Sequence, residues 1–491
     1  MMLDRFFNKL CSENILKGLL ILCGLVMLAT MINREIKGDD CWFGEQSYWL
    51  AKEGSVKLKS IPLIFDWQNQ FLVYHKLLIW MGSIIVSVFG WSVDYLRSFN
   101  LICFGLTLWV LWKITENQAK SLRLLVLFVM LFAPLSFEKS FEIRPEVPAM
   151  LFGTASFYFI KRYFDNQQLL SILLAGAFAG LSFLTHLNSV IYCLAGFFLL
   201  LFHKNIKATV LFSLAAVPVC FIYFIPLLDP ENLQQWQYNI VNWPLHSFED
   251  SVERNVFLSF IIRLLSEHKR FFWGDQIMGM SAMFFLILIF NGKYLWKNHK
   301  QIFLYTMLLA LFLGLLGSHK SPRYIMLYQP FLAITIGYGL YSIKEKKNYV
   351  FKGAIVVVLL AQLAFTTISA ARMLGRNEPH VEKHRNTLSS IPRQSLVLAP
   401  WELIYNEIDS YRIYNYKTFL YVQDLEDRKI TQLDLWKECA ALNIEYVVVT
   451  QEAADEYDLW FKKELKVVHN DYYEVLKTEN DYLILKRKTS S

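Results

Sequence analysis

The chain is poor in the residues that mark several large classes of protein. Its seven cysteines in 491 residues are scattered, four of them (Cys23, Cys103, Cys193 and Cys220) inside apolar runs, with no CxxC or Cys/His spacing. That excludes a zinc cage and a disulfide scaffold. Cys41 and Cys439 lie in stretches that could face an oxidising compartment, but nothing in the sequence pairs them. Charge is scarce too: 19% of residues are Asp, Glu, Lys or Arg, against 55% hydrophobic and 16% aromatic. The apolar residues fall in runs that no water-exposed helix could carry, which excludes an ordinary soluble globule. No internal repeat and no low-complexity tract occurs. The net charge of +7 does not point to nucleic acid, because Lys and Arg sit in short clusters between the apolar runs, where they orient a membrane protein.

What is present reads as a polytopic α-helical membrane protein. The first apolar segment, Ile15–Ile32, follows basic residues as in a signal peptide. No small-residue cleavage site precedes Arg34-Glu35, so it reads as a retained signal anchor. Later runs are Leu101–Trp112, Leu122–Leu135, Val147–Ile160, Leu169–Leu187, Val190–Leu201, Thr209–Leu228, Ile277–Phe290, Ile302–Leu316, Tyr324–Tyr341 and Val350–Ala370. The run Phe71–Gly90 is ambiguous. It contains His75 and Lys76, costly near a bilayer centre, which favours a segment lying flat in the interface. That gives about eleven spans of roughly 20 residues each, some shortened. If it crosses instead, the loop at Asp39 faces the cytoplasm.

Lys/Arg clusters around positions 113–123, 161–162, 204–207, 293–300 and 344–352 mark the cytoplasmic loops, leaving the tail on the other side. Residues 1–375 are the membrane domain and 376–491 a small extracytoplasmic α/β domain of about 110 residues. Its expected elements are strands at Ser395–Ala399 and Glu445–Thr450, a helix at Leu433–Leu442, and a hairpin of Tyr472–Leu476 with Tyr482–Lys486. The segment Asp229–Asp275, with Trp236, Trp243 and Trp273, reads as a loop over the membrane face.

Four constellations on that outer face carry candidate chemistry. Asp39-Asp40, with Glu45 further on, lies just beyond the first span among Trp, Tyr and Phe suited to a membrane interface. A solvated turn would account for two adjacent acids; the aromatic company favours a site. The stretch Glu138–Pro148 places Arg144 and Glu146 so near the bilayer that a pairing or ligand role is favoured over a simple helix start. Ser318–Tyr324 brings His319, Lys320, Arg323 and Tyr324 to a span entrance, an anion site if the cations converge and snorkelling anchors if they do not. Tyr74-His75-Lys76 is the fourth, at its simplest an interfacial anchor. Together, a carboxylate that can take a proton from a hydroxyl and cations that can stabilise a departing phosphate meet the needs of sugar transfer from a lipid phosphate.

The order of three short patterns resembles the GT-C membrane glycosyltransferases, in particular the branch of protein O-mannosyltransferases and the lipid A aminoarabinose transferase. These are Asp39-Asp40-Cys41-Trp42-Phe43-Gly44 with a helix ending near Gly54, Phe89-Gly90-Trp91-Ser92 with Arg97, and Lys320-Ser321-Pro322-Arg323-Tyr324 followed by Gln329-Pro330. The resemblance covers about the first 370 residues and supports the flat reading of Phe71–Gly90. It implies that Asp39 is the general base, with Asp40 in the place of the usual Glu, and that Arg144 and Glu146 line the donor or acceptor site. Lys320 and Arg323 would then hold the lipid phosphate, with Glu45, His75, Lys76, His319 and Tyr324 also contacting substrate.

The family's His-Pro-Pro or Lys-Pro element in the first loop has only loose counterparts here, Ile61-Pro62 and Tyr74-His75-Lys76, which leaves the acceptor open among glycan, lipid and protein. No cofactor is expected, although some relatives bind a divalent cation through such acids. The implied partners are a polyprenyl-phosphate-linked hexose or pentose donor and membrane lipid, without nucleic acid. The implied location is a bacterial inner membrane, with the active site outside. A transporter or flippase is the rival, but it would show internal repeats and interrupted mid-membrane helices. A scaffold displaying the C-terminal domain would tolerate loss of Asp39, Arg144 and Arg323 together.

Overall fold

The computed structural model describes residues 2–243, 256–317, 319–343, 348–376, 378–456, 471–479 and 482–488. Ser318, the lysines at 344, 346 and 347, part of the Asp229–Asp275 segment and Asn480-Asp481, expected as part of the hairpin connection, lie outside the described residues.

Every apolar run read as a span is helical where described. Val93–Ile114, Ile206–Leu228, Asp275–Asn298 and Tyr349–Gly375 are long and apolar enough to cross a membrane. The other runs form shorter helices, such as Glu13–Ala29, Leu169–Thr185 and Lys300–Leu316. These helices are predominantly apolar, with their charges near the ends. Their inward faces form one continuous core, while Leu214, Val217, Val357 and Leu360 stand exposed on the periphery. An apolar exterior over helices that satisfy their own backbone is what lipid requires. Small residues allow close approach: a Cβ at Gly176 would lie 2.2 Å from the Phe212 carbonyl oxygen of the neighbouring helix.

The run Phe71–Gly90 becomes a helix only over Lys76–Phe89, 14 residues, ending at Gly90 with φ +83° before Val93–Ile114 begins. At about 1.5 Å per residue such a helix falls well short of a bilayer core. The stretch between Pro230 and Phe272, expected as a loop, holds helices at Pro230–Val241, Val256–Leu265 and His268–Phe272. Asp229 starts the first of them by accepting from the N–H groups of Glu231 and Asn232, with Pro230 at its first position.

The C-terminal sheet has strands β1 (Leu396–Leu398), β2 (Arg412–Tyr414), β3 (Tyr446–Thr450), β4 (Tyr473–Glu479) and β5 (Tyr482–Arg487), ordered β2-β1-β3-β5-β4. β1 runs parallel to both β2 and β3, whereas β3-β5 and β5-β4 are antiparallel. Parallel strands need crossovers, and the helices Lys417–Leu425 and Gln432–Ala441 supply them between β2 and β3. The domain docks through Ser60 on the loop that follows the Gly38–Glu53 helix. Ser60 Oγ accepts from Trp401 Nε1 at 2.6 Å, and its carbonyl accepts from the Asn415 N–H at 2.7 Å. That docking puts the C-terminal domain beside the acid pair.

Candidate active site

Asp39 and Asp40 lie in the first turn of the Gly38–Glu53 helix rather than in a loop. The helix starts there because Asp40 reaches back and accepts from the Lys37 N–H at 3.1 Å, and acids favour a helix N-terminus. It stops at Gly54, whose φ of +72° is a left-handed conformation that a Cβ disfavours.

The two acids are placed very differently. Asp40 is fully buried. One oxygen takes the Ile143 N–H at 2.7 Å and the other Arg97 Nη2 at 2.6 Å, so neither is open to a substrate. Arg97, 2% exposed, also donates to the carbonyls of Arg34 at 2.9 Å and Glu35 at 2.6 Å, tying the end of the first span to the helix start. Asp39 instead keeps 38% of its side chain exposed and is held by Arg144.

Arg144 is the buried hub. Its Nε and Nη2 clasp Glu146 at 3.2 and 3.0 Å, its Nη1 donates to Asp39, and Glu142 lies at 3.8 Å. Such a planar fork suits several carboxylates at once. Asn100, donating to the carbonyls of Glu142 and Arg144, fixes the loop that carries them. Burial alone would push the Glu142 carboxyl up. Lys139, Lys37 and Arg144 around it more than offset this and hold it down at about 2. Burial likewise opposes the Arg144 charge, but Glu146, Asp39 and Glu142 raise its affinity for the proton above the ordinary arginine value.

Arg323, 35% exposed, completes the group, with Nη1 3.8 Å from Asp39 and Nε 3.8 Å from Glu146. The acids Asp39, Asp40, Glu142 and Glu146 therefore meet Lys37, Arg97, Lys139, Arg144 and Arg323. The cations exceed the acids by one, an arrangement that favours an added anion. Beside it, His75 stacks on His186 with ring centroids 4.7 Å apart, and His186 meets the edge of Tyr324 at 5.5 Å. Lys76 is buried, its ammonium 4.2 Å from the Tyr74 ring centroid and 4.8 Å from that of Tyr223, with no hydrogen-bond acceptor among the described residues. A buried ammonium held only by aromatic faces is costly unless a ligand supplies oxygen.

Other expected site residues lie apart. Lys320 Nζ is occupied by Glu267 at 3.0 Å and by the carbonyls of Gly314 and Gly317 at 3.1 and 2.9 Å. Arg270 joins that second group through Glu267 at 2.7 Å and the carbonyl of His319 at 2.9 Å. The convergence of Lys320 with Arg323 on one anion is therefore not what the fold builds. Glu45 faces the C-terminal domain, accepting from Trp49 Nε1 at 3.1 Å, the Ser60 N–H at 2.8 Å and the Ser60 hydroxyl. Among the described residues no three His, Cys, Asp or Glu side chains converge to hold a metal.

Sequence reasoning passed over His186, Glu142 and Arg97 as site residues. His186 had a visible signal, the polar Thr185-His186-Leu187-Asn188 break between two apolar runs. Glu142 lay inside the Glu138–Pro148 stretch beside its partners Lys139 and Arg144, and Arg97 inside the Phe89–Arg97 pattern, but their pairing with Lys37 and Asp40, far off in the chain, left no local trace.

The bundle, with its C-terminal sheet domain docked beside the acid and arginine cluster, has the fold of the GT-C membrane glycosyltransferases. The family model of dolichyl-phosphate-mannose-protein mannosyltransferases matches residues 77–228. Among curated proteins none matches the chain in sequence. In structure the chain is similar to ArnT from Cupriavidus metallidurans in the apo state, with a TM-score of 0.60 at 10% identity over 95% of this chain and 96% of that one. The same protein bound to undecaprenyl phosphate matches with a TM-score of 0.57 at 10% identity, covering 96% and 98%. The archaeal oligosaccharyltransferase AglB from Archaeoglobus fulgidus, in complex with an inhibitory peptide and a dolichol-phosphate, matches with a TM-score of 0.51 at 13% identity, covering 89% and 69%. The chain therefore shares its fold with ArnT and AglB, and its residues 77–228 are similar to the protein mannosyltransferase family.

Proposed function

We propose that this protein transfers one sugar from a polyprenyl-phosphate carrier to an acceptor hydroxyl at the extracytoplasmic face of a membrane, with Asp39 as the general base. The observation that carries this reading is the contrast within one acid cluster. Asp39 is 38% exposed, whereas Asp40, Glu142 and Glu146 are buried at 1% or less. Only Asp39 can meet an incoming hydroxyl, and the buried acids hold Arg144 and Arg97 in place around it.

In the step so assigned, Asp39 takes the hydroxyl proton while the acceptor oxygen forms its bond to the anomeric carbon. The bond from that carbon to the carrier's phosphate oxygen breaks, and the phosphate leaves with the electron pair. Arg323, half-exposed and 3.8 Å from Asp39, stands where it can receive that charge. The ammonium of Lys76, which has no hydrogen-bond partner among the described residues, is the second ligand we assign to the phosphate. The undecaprenyl phosphate bound to ArnT and the dolichol-phosphate bound to AglB support this class of carrier. The lysine-rich loops opposite the acid cluster support the outward-facing orientation.

The test separates binding from chemistry. In lipid nanodiscs, Asp39→Asn is expected to bind undecaprenyl phosphate as the wild type does and to lose transfer by about 10²–10⁴-fold. Lys76→Ala and Arg323→Ala are expected to weaken the binding itself. Transfer by Asp39→Asn near the native rate would remove the base assignment.

A further inference from the structure

Between the first outer loop and the C-terminal domain lies a cleft of about 410 Å³, lined by Tyr48, Trp49, Trp401, Tyr414, Gln394 and Asp409 among others. We propose that this cleft binds an uncharged saccharide portion of the acceptor, so that the acceptor is an oligosaccharide or carries one. The inference rests on the transferase reading and names its acceptor class.

Its volume lies in the range of small-molecule sites, about 300–1,000 Å³. Its chemistry is specific. The partly exposed rings of Trp49 and Tyr414, backed by the buried Tyr48 and Trp401, offer apolar faces with polar edges, which match the C–H faces of a sugar ring. Amide and carboxylate groups between them match the hydroxyls. Asp409 accepts from Tyr48 Oη, lies 3.6 Å from Lys52 Nζ and keeps 51% of its side chain exposed, so the carboxylate is oriented and still accessible.

The charges argue against a phosphate or an anionic lipid. The cations at the cleft are committed: Lys59 pairs with Glu53 at 2.5 Å and lies 3.9 Å over the Trp49 ring, and Arg412 pairs with Glu445 at 3.0 Å. The acids are paired as well, Glu45 with Ser60 and Trp49 and Asp409 with Tyr48 and Lys52, so the two acids and two cations of the lining balance, unlike the cation-rich surroundings of Asp39. An anion is disfavoured here and a neutral polyol is not.

Position links the cleft to the chemistry. Tyr48 and Trp49 stand on the same helix as Asp39, roughly 14–15 Å along its axis at ~1.5 Å per residue. Trp401 lines the cleft and also meets the edge of Trp42 at 5.6 Å, one helical turn from Asp39. A ligand joining the two places spans more than one sugar ring. The C-terminal domain thereby contributes half of the acceptor site.

The test is binding of the purified full-length protein, in nanodiscs without donor, to an array of neutral and acidic oligosaccharides. Wild type and Asp39→Asn are expected to retain the same neutral glycans, showing that the cleft acts independently of the base. Trp49→Ala and Asp409→Asn, checked for native melting, are expected to lose about tenfold or more in affinity. Asp409→Glu, which keeps the carboxylate, should recover part of the loss. No glycan retained, acidic glycans preferred, or equal retention by the cleft variants would each overturn the proposal. Loss of transfer by Asp39→Asn is read in a separate assay, so failure here leaves that reading standing.

Discussion

Replacing Arg97 by Leu removes the partner of Asp40, the most deeply buried acid among the described residues. The pair is closed off on both sides, 2% and 0% exposed, at 2.6 Å. Removing one member of a buried pair costs about 3–5 kcal/mol, because the remaining charge stays desolvated. Asp40 would keep the N–H groups of Ile143 and Lys37, which places the expected loss near the lower end, at about 3 kcal/mol. Arg97 also anchors the carbonyls of Arg34 and Glu35, so the start of the Gly38–Glu53 helix should loosen and transfer should fall along with stability. Unfolding by SDS in mixed micelles measures the first effect. The double variant Arg97→Leu/Asp40→Leu, with both charges gone, is expected to regain part of the stability without regaining transfer. A loss below about 1 kcal/mol for Arg97→Leu, the size of a surface pair, would refute the view that this contact organises the site.

Glu142, held at about 2, gives a dependence on pH. Its carboxyl binds its proton less readily folded than unfolded, so its contribution is fully present above the unfolded value near 4.5 and is lost as pH falls towards 2. The stability difference between wild type and Glu142→Gln, of order 3 kcal/mol, should be flat from pH 5 to 8 and shrink below. Gly44→Ala would set a Cβ 1.2 Å from Tyr405 Oη. An overpacking cost of about 1–3 kcal/mol should appear as faster proteolysis of the C-terminal domain. Lys320→Ala should lower stability through loss of the Glu267 and carbonyl contacts while leaving the apparent affinity for polyprenyl phosphate unchanged.

Local patterns were the legible part of this sequence. The continuous Val-Val-Val-Thr run became β3, the Leu433–Leu442 helix formed as Gln432–Ala441, and the alternating pair near the end became the β4–β5 hairpin. The strand Arg412–Tyr414 escaped notice because three half-exposed residues carry no periodicity. The polar, aromatic-rich stretch from Pro230 to Phe272 hid its helices for a related reason: charge and Trp at an interface obscure a single apolar face.

The site was legible as a set of residues and not as a set of contacts. Asp39, Arg144, Glu146 and Arg323 do come together. Yet which acid would be open was decided by Arg97, 57 positions from Asp40, and Lys320 was captured by Glu267, 53 positions away. Ion pairs of that sequence separation leave no trace in spacing. Glu45 illustrates the same limit, since an acid two helical turns past a candidate base looks like a substrate ligand until Ser60 and Trp49 are seen to satisfy it.

Sugar transfer in isolated membranes tests the central claim most directly. Membranes containing wild type, Asp39→Asn or Arg323→Ala would be supplied with a panel of radiolabelled polyprenyl-phosphate sugars, and label would be followed into product. The account predicts transfer from a particular donor by the wild type alone, with both variants present in the membrane at normal levels. Equal transfer by all three, or transfer that persists in Asp39→Asn, would place the chemistry elsewhere and contradict it.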